Sequence, residues 1–272
     1  MEAVSREAYA PALSKLEGYA ADASPPQLAA LADELLAVGV LLGREPRLRR
    51  ALTDPARRPQ DRTRLARGLL DGKASADAVG LVEELVSARW SSPNGLRDAA
   101  ERLGVDALLA SAEKAGELGE VEDELFRFGQ VVDGSDELAA VLGDPTAPLA
   151  QRAELVGTLL DGKARPVTVR LAKLALAGFG GHSFSAALPH LVELTAARRD
   201  RTVAYVTSAI PLAEDDEARL GAELARRYGR QVSIQVVVDP EILGGLSIQI
   251  GSDLYDGTVL RRLNQARTAL TK

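Results

Sequence analysis

The sequence predicts a mainly α protein, with two tandem helical bundles followed by a small α+β domain of βαββα-like order. Three observations predict this. A segment repeats at an offset of 90 residues; up to about Arg199 apolar residues recur at spacings of three and four, the period of a helix with one buried face. Beyond Arg199 the pattern changes to alternation, the period of half-buried strands. A chain of 272 residues has room for roughly one to three domains. The expected divisions are 1–93 for an extra N-terminal bundle, 94–199 for the second bundle and 200–272 for the α+β tail.

The repeat is clearest where Leu52 to Ala74 (LTDPARRPQDRTRLARGLLDGKA) meets Leu142 to Ala164 (LGDPTAPLAQRAELVGTLLDGKA), identical at 11 of 23 positions. The same offset places Leu13 on Leu103, Glu34-Leu35 on Glu124-Leu125, Gly39 on Gly129 and Leu48 on Leu138. One copy therefore ends near Trp90 and the second starts near Pro93, an internal duplication of most of residues 1–185.

Each copy is helical for reasons visible in order. Ser24-Pro25-Pro26-Gln27 has the form of a capping box with Pro at the first helical position, opening a stripe of Leu28, Leu31, Leu35, Val38 and Leu42. Val121, Leu125, Phe128 and Val132 form the corresponding stripe, stopped by Asp133-Gly134-Ser135. Asp54-Pro55 and Asp144-Pro145 mark helix-to-helix turns, because Pro keeps the residue before it out of the helical region. Leu65, Leu69 and Leu70, and then Leu155, Leu159 and Leu160, give the next apolar face, closed by Asp-Gly at 71–72 and 161–162, where Gly can take the left-handed cap. In the tail, Thr202 to Ser208 favours a strand, Glu214 to Tyr228 a helix with Leu220 and Leu224 inward, and Val232, Ile234, Val236 and Val238 alternate as a second strand. Asp239-Pro240 turns the chain, Leu246, Ile248 and Ile250 alternate again, and Val259, Leu263, Ala266 and Leu270 predict a final amphipathic helix. Because each bundle has its own apolar stripes, loss of residues 1–93 is expected to leave the rest folded.

Composition excludes several chemistries. There is no Cys, which removes disulfides, zinc fingers, iron–sulfur clusters and thiol nucleophiles, and there are only two His. Aromatic residues make up 4% and the net charge is −6, so neither a base-stacking platform nor an electrostatic footprint for nucleic acid is present. The N-terminal residues carry Glu2 and Glu7 without an apolar run behind a basic start, unlike a secretory signal. The longest uncharged stretch, 19 residues between Lys173 and Glu193, is broken by Gly178, Gly180, Gly181 and Pro189 and suits a turn between buried helices rather than a membrane span. No direct membrane insertion is expected.

Gly157 to Ala164 fits the phosphate-loop pattern until its last position, where Ala164 replaces the Ser or Thr that would hold magnesium, and the residues before it are helical rather than a strand. It is expected to be a helix cap. Gly178-Phe179-Gly180-Gly181 follows a helix and is expected to be a tight turn. His182 and His190 stand about 80° apart round an ideal helix, with Pro189 between, so they are not expected to share a ligand. Glu120, Glu122, Asp123 and Glu124 favour the positive end of a helix dipole without any catalytic role. No catalytic, cofactor-binding or metal-ligating residue is expected.

The stretch VSIQVVVDPEILGGLSIQIG, Val232 to Gly251, followed by SDLYDGTVLRRLNQARTAL, is where the sequence becomes specific. Its alternating strands, Gly-Gly, Asp256-Gly257 and basic helix resemble the C-terminal signature of the delta subunit of F-type ATP synthase, the family of the mitochondrial oligomycin sensitivity-conferring protein. Asp144-Pro145, Arg152 and Leu159-Leu160 also agree with that family's helical bundle, so the resemblance covers about 180 residues. The first bundle resembles the duplicated form of actinobacterial type. One departure is Gly181-His182, where the family often carries Gly-Arg; Ala88-Arg89 of the first copy is closer to that pattern.

The resemblance implies a non-catalytic stator subunit at the cytoplasmic face of the cell membrane, held there peripherally. Residues 94–199 would grip the N-terminal segments of alpha subunits of the catalytic head, and residues 200–272 would bind the b subunits of the stalk. Gly244, Gly245, Gly251, Asp256 and Gly257 are the signature and structural residues: the Gly pair permits a tight reversal and Asp256 can cap the last helix. Arg261, Arg262 and Arg267 make that helix basic and are the candidate stalk contacts. A helical adaptor or repeat scaffold is the competing class, which the duplication alone would support but which leaves the α+β tail unexplained.

Overall fold

The computed structural model describes residues 3–228, 232–239, 242, 244–250 and 253–257, and divides into two compact units, Met1–Thr195 and Ala196–Lys272. The described residues hold twelve α-helices and one four-stranded sheet, a mainly α chain with a small α+β part.

In the helical unit, α1 (Ala3–Asp22), α2 (Pro25–Arg44), α3 (Pro46–Thr53), α4 (Pro59–Leu70) and α5 (Ala76–Ser87) belong to the first copy. α7 (Leu118–Asp133), α8 (Asp136–Gly143), α9 (Leu149–Leu160) and α10 (Pro166–Leu176) repeat α2 to α5. Serine caps open helices in both copies at unmatched places, whereas other polar devices repeat at the offset. The Ser24 N–H donates to Gln27 Oε1 at 2.8 Å as the capping pattern predicts, and Ser75 and Ser135 receive the Ala78 and Leu138 N–H groups. Asp54 and Asp144 each accept the N–H two residues on, at 2.9 and 2.8 Å, which fixes the turn before the next helix. Glu34 takes the Ser75 N–H at 3.2 Å and Glu124 takes the Arg165 N–H at 2.8 Å, the same latch one offset apart. Gly72 and Gly162 end α4 and α9 with φ of 68° and 63°, the left-handed cap expected for both.

One element has no separate place in either copy. α6 (Pro93–Lys114) lies one offset from α1, and α11 (Phe184–Thr202) lies one offset beyond α6. α6 is therefore the last helix of the first copy and the first helix of the second. Its burial fits: Leu96, Ala99, Ala100, Leu103, Val105, Ala107, Leu108, Leu109 and Ala112 are all buried, so it is apolar round most of its circumference rather than along one stripe. α2 runs antiparallel to it. Ser111 Oγ donates to the Pro25 carbonyl at 2.8 Å at one end, and Arg97 reaches Gly43 at the other. Between them Gly104 faces Ala32 and Leu36, and Gly39 faces Glu101, so the absent side chains let the two helices approach. One core cluster runs from Tyr9 to Leu194 through both copies.

In the second unit, β1 (Val203–Ser208), α12 (Glu214–Tyr228) and β2 (Ser233–Val238) form a strand–helix–strand crossover with parallel strands. β3 (Leu246–Ile250) pairs antiparallel on the other side of β1, and β4 (Asp253–Asp256) pairs with β3, giving the order β2-β1-β3-β4. Ala204, Val206, Leu224 and Ile250 are its buried centre, with Leu220, Ile234 and Ile248 packed around them. β4 is an element the alternation pattern did not reveal, since its four residues, Asp253 to Asp256, are too few to show a period. The final helix expected from Val259 to Leu270 lies outside the described residues.

Candidate interaction surfaces

The signature residues sit around β3. Gly244 and Gly245 precede it with φ of 126° and 86°, values a side chain would resist, as expected of a tight reversal. The Gly257 N–H donates to the Leu246 carbonyl at 2.9 Å, and a Cβ on Gly257 would lie 3.2 Å from that oxygen, so this corner closes tightly. Asp256 ends β4 opposite Ser247. Gly251, Arg261, Arg262 and Arg267 lie outside the described residues. Beside the signature, Tyr228 of α12 donates from its hydroxyl to the Tyr255 hydroxyl at 3.1 Å, and the Arg227 guanidinium lies 4.8 Å from the Tyr255 ring centre. The two edge strands leave apolar side chains in solvent: Val237 and Val238 on β2, and Leu254 on β4 at 61% exposure. Sequence reasoning named the turns of this unit and missed these edges, because only strand order shows which strands lack a neighbour.

On the helical unit the exposed apolar residues agree between copies at one place, Leu41 and Val131, and differ elsewhere. α7 shows Phe126 and Val131 at 54% and 58%, α8 shows Val141 and α9 Leu149, whereas the first copy shows Val40 and Leu41 of α2. Leu36, the duplicate of Phe126, is half-buried beside Gly104 instead. α2 is also long and apolar enough by length and composition to cross a membrane, yet Leu28, Leu31, Leu35, Val38 and Leu42 are buried in the protein core.

The glycine turn after α10 is a single 3-10 turn, Phe179–Gly181. Glu101 of α6 accepts its Gly180 N–H at 3.2 Å, and burial pushes that carboxyl above its ordinary value, partly offset by the N–H and by Arg97. Arg97 Nη2 lies 3.5 Å from where a Gly181 Cβ would stand, so an arginine reaches this corner from α6 although the chain has His182 here. The two histidines are closer than helical geometry suggested. His182 precedes α11 rather than lying on it, and its ring centre is 5.7 Å from that of His190, which stacks on Phe179 at 5.9 Å. No third His, Asp or Glu joins them as a metal-holding group among the described residues. Gly157 to Ala164 is the end of α9 and its cap, preceded by helix rather than strand.

Comparison with known proteins gives a consistent result. The sequence pattern of the family described as ATP synthase delta (OSCP) subunit matches residues 105–270. The chain is similar to the ATP synthase subunit delta of Salinispora arenicola, 63% identical over 99% of this chain and 98% of that one. It is similar to the same subunit of a Parafrankia species, 45% identical over the full length of both, and of Streptomyces griseus, 44% identical over 98% of each. The relatives are matched through the first copy as well, so the duplicated form is shared with them.

Proposed function

Because the chain belongs to the ATP synthase delta (OSCP) subunit family, we propose that it is a non-catalytic peripheral-stalk subunit that links the catalytic head of an F-type ATP synthase to its membrane proton channel. The observation that carries this is the identity of 63% across the whole length of a delta subunit, together with two compact units that could each hold a different partner. In this reading residues 94–199 grip N-terminal segments of alpha subunits and residues 200–272 hold the C-terminal end of b subunits. Residues 1–93 enlarge the head-side unit.

The task is mechanical. Rotor torque must be resisted without release, and two linked contacts raise the effective concentration of each partner at its site, so the pair holds far longer than either alone. The chain attaches at the cytoplasmic face through its partners, and the exposed apolar residues of α7 to α9 and of strands β2 and β4 supply surfaces for them. Purification of the tagged chain from gently solubilised membranes of its own cell tests the reading. Alpha, beta and b-type subunits should co-purify in fixed ratio; recovery of the chain alone, or with unrelated proteins, would favour a helical adaptor.

A further inference from the structure

The two copies share their core and differ sharply in charge at one edge. Residues 44–67, covering α3 and most of α4, carry nine arginines, no lysine and three carboxylates. The duplicate segment 134–157 carries one arginine and four carboxylates. A chain of net charge −6 thus concentrates positive charge on one short edge of its first copy.

The shared arginine is structural. Arg62 is 2% exposed and donates to the Ser87, Ala88 and Asp54 carbonyls at 2.9, 3.3 and 3.4 Å, and its duplicate Arg152 donates to the Leu142 carbonyl at 2.9 Å. Each leaves its Nε without a partner. Arg49 likewise bonds the Leu42 and Gly43 carbonyls, and Arg67 is held by Glu83. Arg57, Arg58 and Arg89 are exposed, and at their duplicate positions stand Ala147, Pro148 and Phe179. Two carboxylates serve the arginines of this corner: Asp61 holds Arg58 at 3.0 Å and Arg64 at 3.6 Å, and Asp54 meets Arg57 at 3.6 Å, so positive charge stays in excess of the local acids.

These three arginines and Arg62 line a cleft of about 270 Å³ whose remaining walls include Pro55 and Pro59. A second cleft, of about 470 Å³, shares Pro55 and sets Ala51, Trp90 and Pro93 beside the polar Arg50, Thr53, Asp54, Ser91 and Ser92. The Trp90 indole N–H is taken by the Leu85 carbonyl at 2.7 Å, so the part of its ring left to the cleft is apolar. A guanidinium-rich cleft thus borders a mixed one in which Ala51, Pro55, Trp90 and Pro93 give an apolar wall.

We propose that this edge is a docking surface for an acidic polypeptide segment that carries an apolar side chain. Guanidinium forks match carboxylates two bonds at a time, and the apolar wall of the neighbouring Trp90 cleft suits an apolar side chain beside them. A polypeptide supplies both groups within a few residues. A nucleic acid would stack bases on several aromatic rings, and Trp90 is the one aromatic residue lining the two clefts. An anionic bilayer would spread over Glu83 and Glu84 of the adjoining cleft, which shares Ser87, as well. The inference does not depend on the stalk reading, since it concerns the isolated chain.

The test uses the full chain and a short labelled peptide of Glu-Glu-Leu repeats, with a Gln-Gln-Leu version as its uncharged counterpart. Trp90 is the single tryptophan, so its emission reports the apolar wall of that cleft directly. The acidic peptide should bind saturably, shift Trp90 emission and weaken with salt, whereas the Gln version should not bind. Binding should fall at least about tenfold in R57A/R58A/R89A, whose side chains are exposed, and stay unchanged in R127A/K163A/K173A on the second copy. Absence of saturable binding, equal loss in both variants, or tighter arginine-dependent binding of phosphatidylglycerol vesicles or oligothymidine would overturn the proposal.

Discussion

Gly104→Ala tests the shared-helix architecture at its tightest point. A Cβ at Gly104 would lie 2.7 Å from Leu36 Cγ, 2.8 Å from Leu36 Cδ2 and 3.3 Å from the Ala32 backbone oxygen. Cγ is the branch point of the leucine, so rotation about χ2 cannot remove the clash, and either Leu36 takes another χ1 rotamer or α2 and α6 move apart. Such overpacking typically costs about 1–3 kcal/mol. Against it stands the gain of about 1 kcal/mol from replacing Gly by Ala inside a helix. Gly68→Ala isolates the propensity gain, because Gly68 lies within α4 and a Cβ there meets nothing within 4 Å. Both variants share the propensity gain, so their difference is the price of the crossing alone. Gly68→Ala should raise stability by about 0.5–1 kcal/mol and Gly104→Ala should fall below it by about 1–3 kcal/mol. In thermal unfolding of the full chain this is about 2–4 °C for each kcal/mol in a unit of this size. Equal stabilisation by the two substitutions would refute the close α2–α6 approach.

Tyr9 donates to Asp106 at 2.6 Å, and burial, then the Asp106 carboxylate, holds its hydroxyl well above the ordinary tyrosine value. A raised folded-state value gives stability that is present below about pH 10 and lost as pH rises beyond it; urea titrations should show this alkaline fall, and Tyr9→Phe should flatten it while lowering neutral-pH stability by about 1–3 kcal/mol. Arg62→Met removes three bonds to carbonyls at the ends of α3 and α5 and should cost about 1–3 kcal/mol by chemical denaturation, whereas Arg64→Met on the exposed side of α4 should change stability by less than about 0.5 kcal/mol. A fragment of residues 94–272 loses α1 and α2 from one side of α6, and should bind a hydrophobic dye and unfold over a broader range than the full chain. A sharp, dye-free transition in that fragment would restore the view that each bundle folds on its own stripes.

Much of this was legible from spacing alone. The offset of 90 residues located both Asp-Pro turns, both Asp-Gly caps and the Glu34 and Glu124 positions that hold the same latch. Those features are local or repeat locally, so one sequence suffices to find them. The double role of α6 was not legible, because a helix buried on two sides has no clean stripe, and Leu96 to Ala112 reads as a run of small and apolar residues without a dominant period. The offset carried the clue, since α1, α6 and α11 are each one repeat apart. The closeness of the two histidine rings was hidden for a different reason: angles on one ideal helix say nothing when one residue lies in the turn before it. Strand order and edge exposure in the tail depend on which distant strands pair, and alternation within a strand cannot specify that.

The shared helix changes what the duplication can do. Two bundles joined by a linker could reorient against each other, since small inter-domain interfaces permit motion. Here the second copy begins with the helix that completes the first, and one core cluster passes through both. Selection on packing therefore acts on the two copies jointly, while their surfaces are free to diverge. The structure shows that division: latch, caps and the buried Arg62 and Arg152 persist, whereas Arg57, Arg58 and Arg89 face Ala147, Pro148 and Phe179 across the offset. An added copy joined in this way lengthens the helical unit without adding a hinge. The added surface can then take a partner of opposite charge to any that suits the second copy.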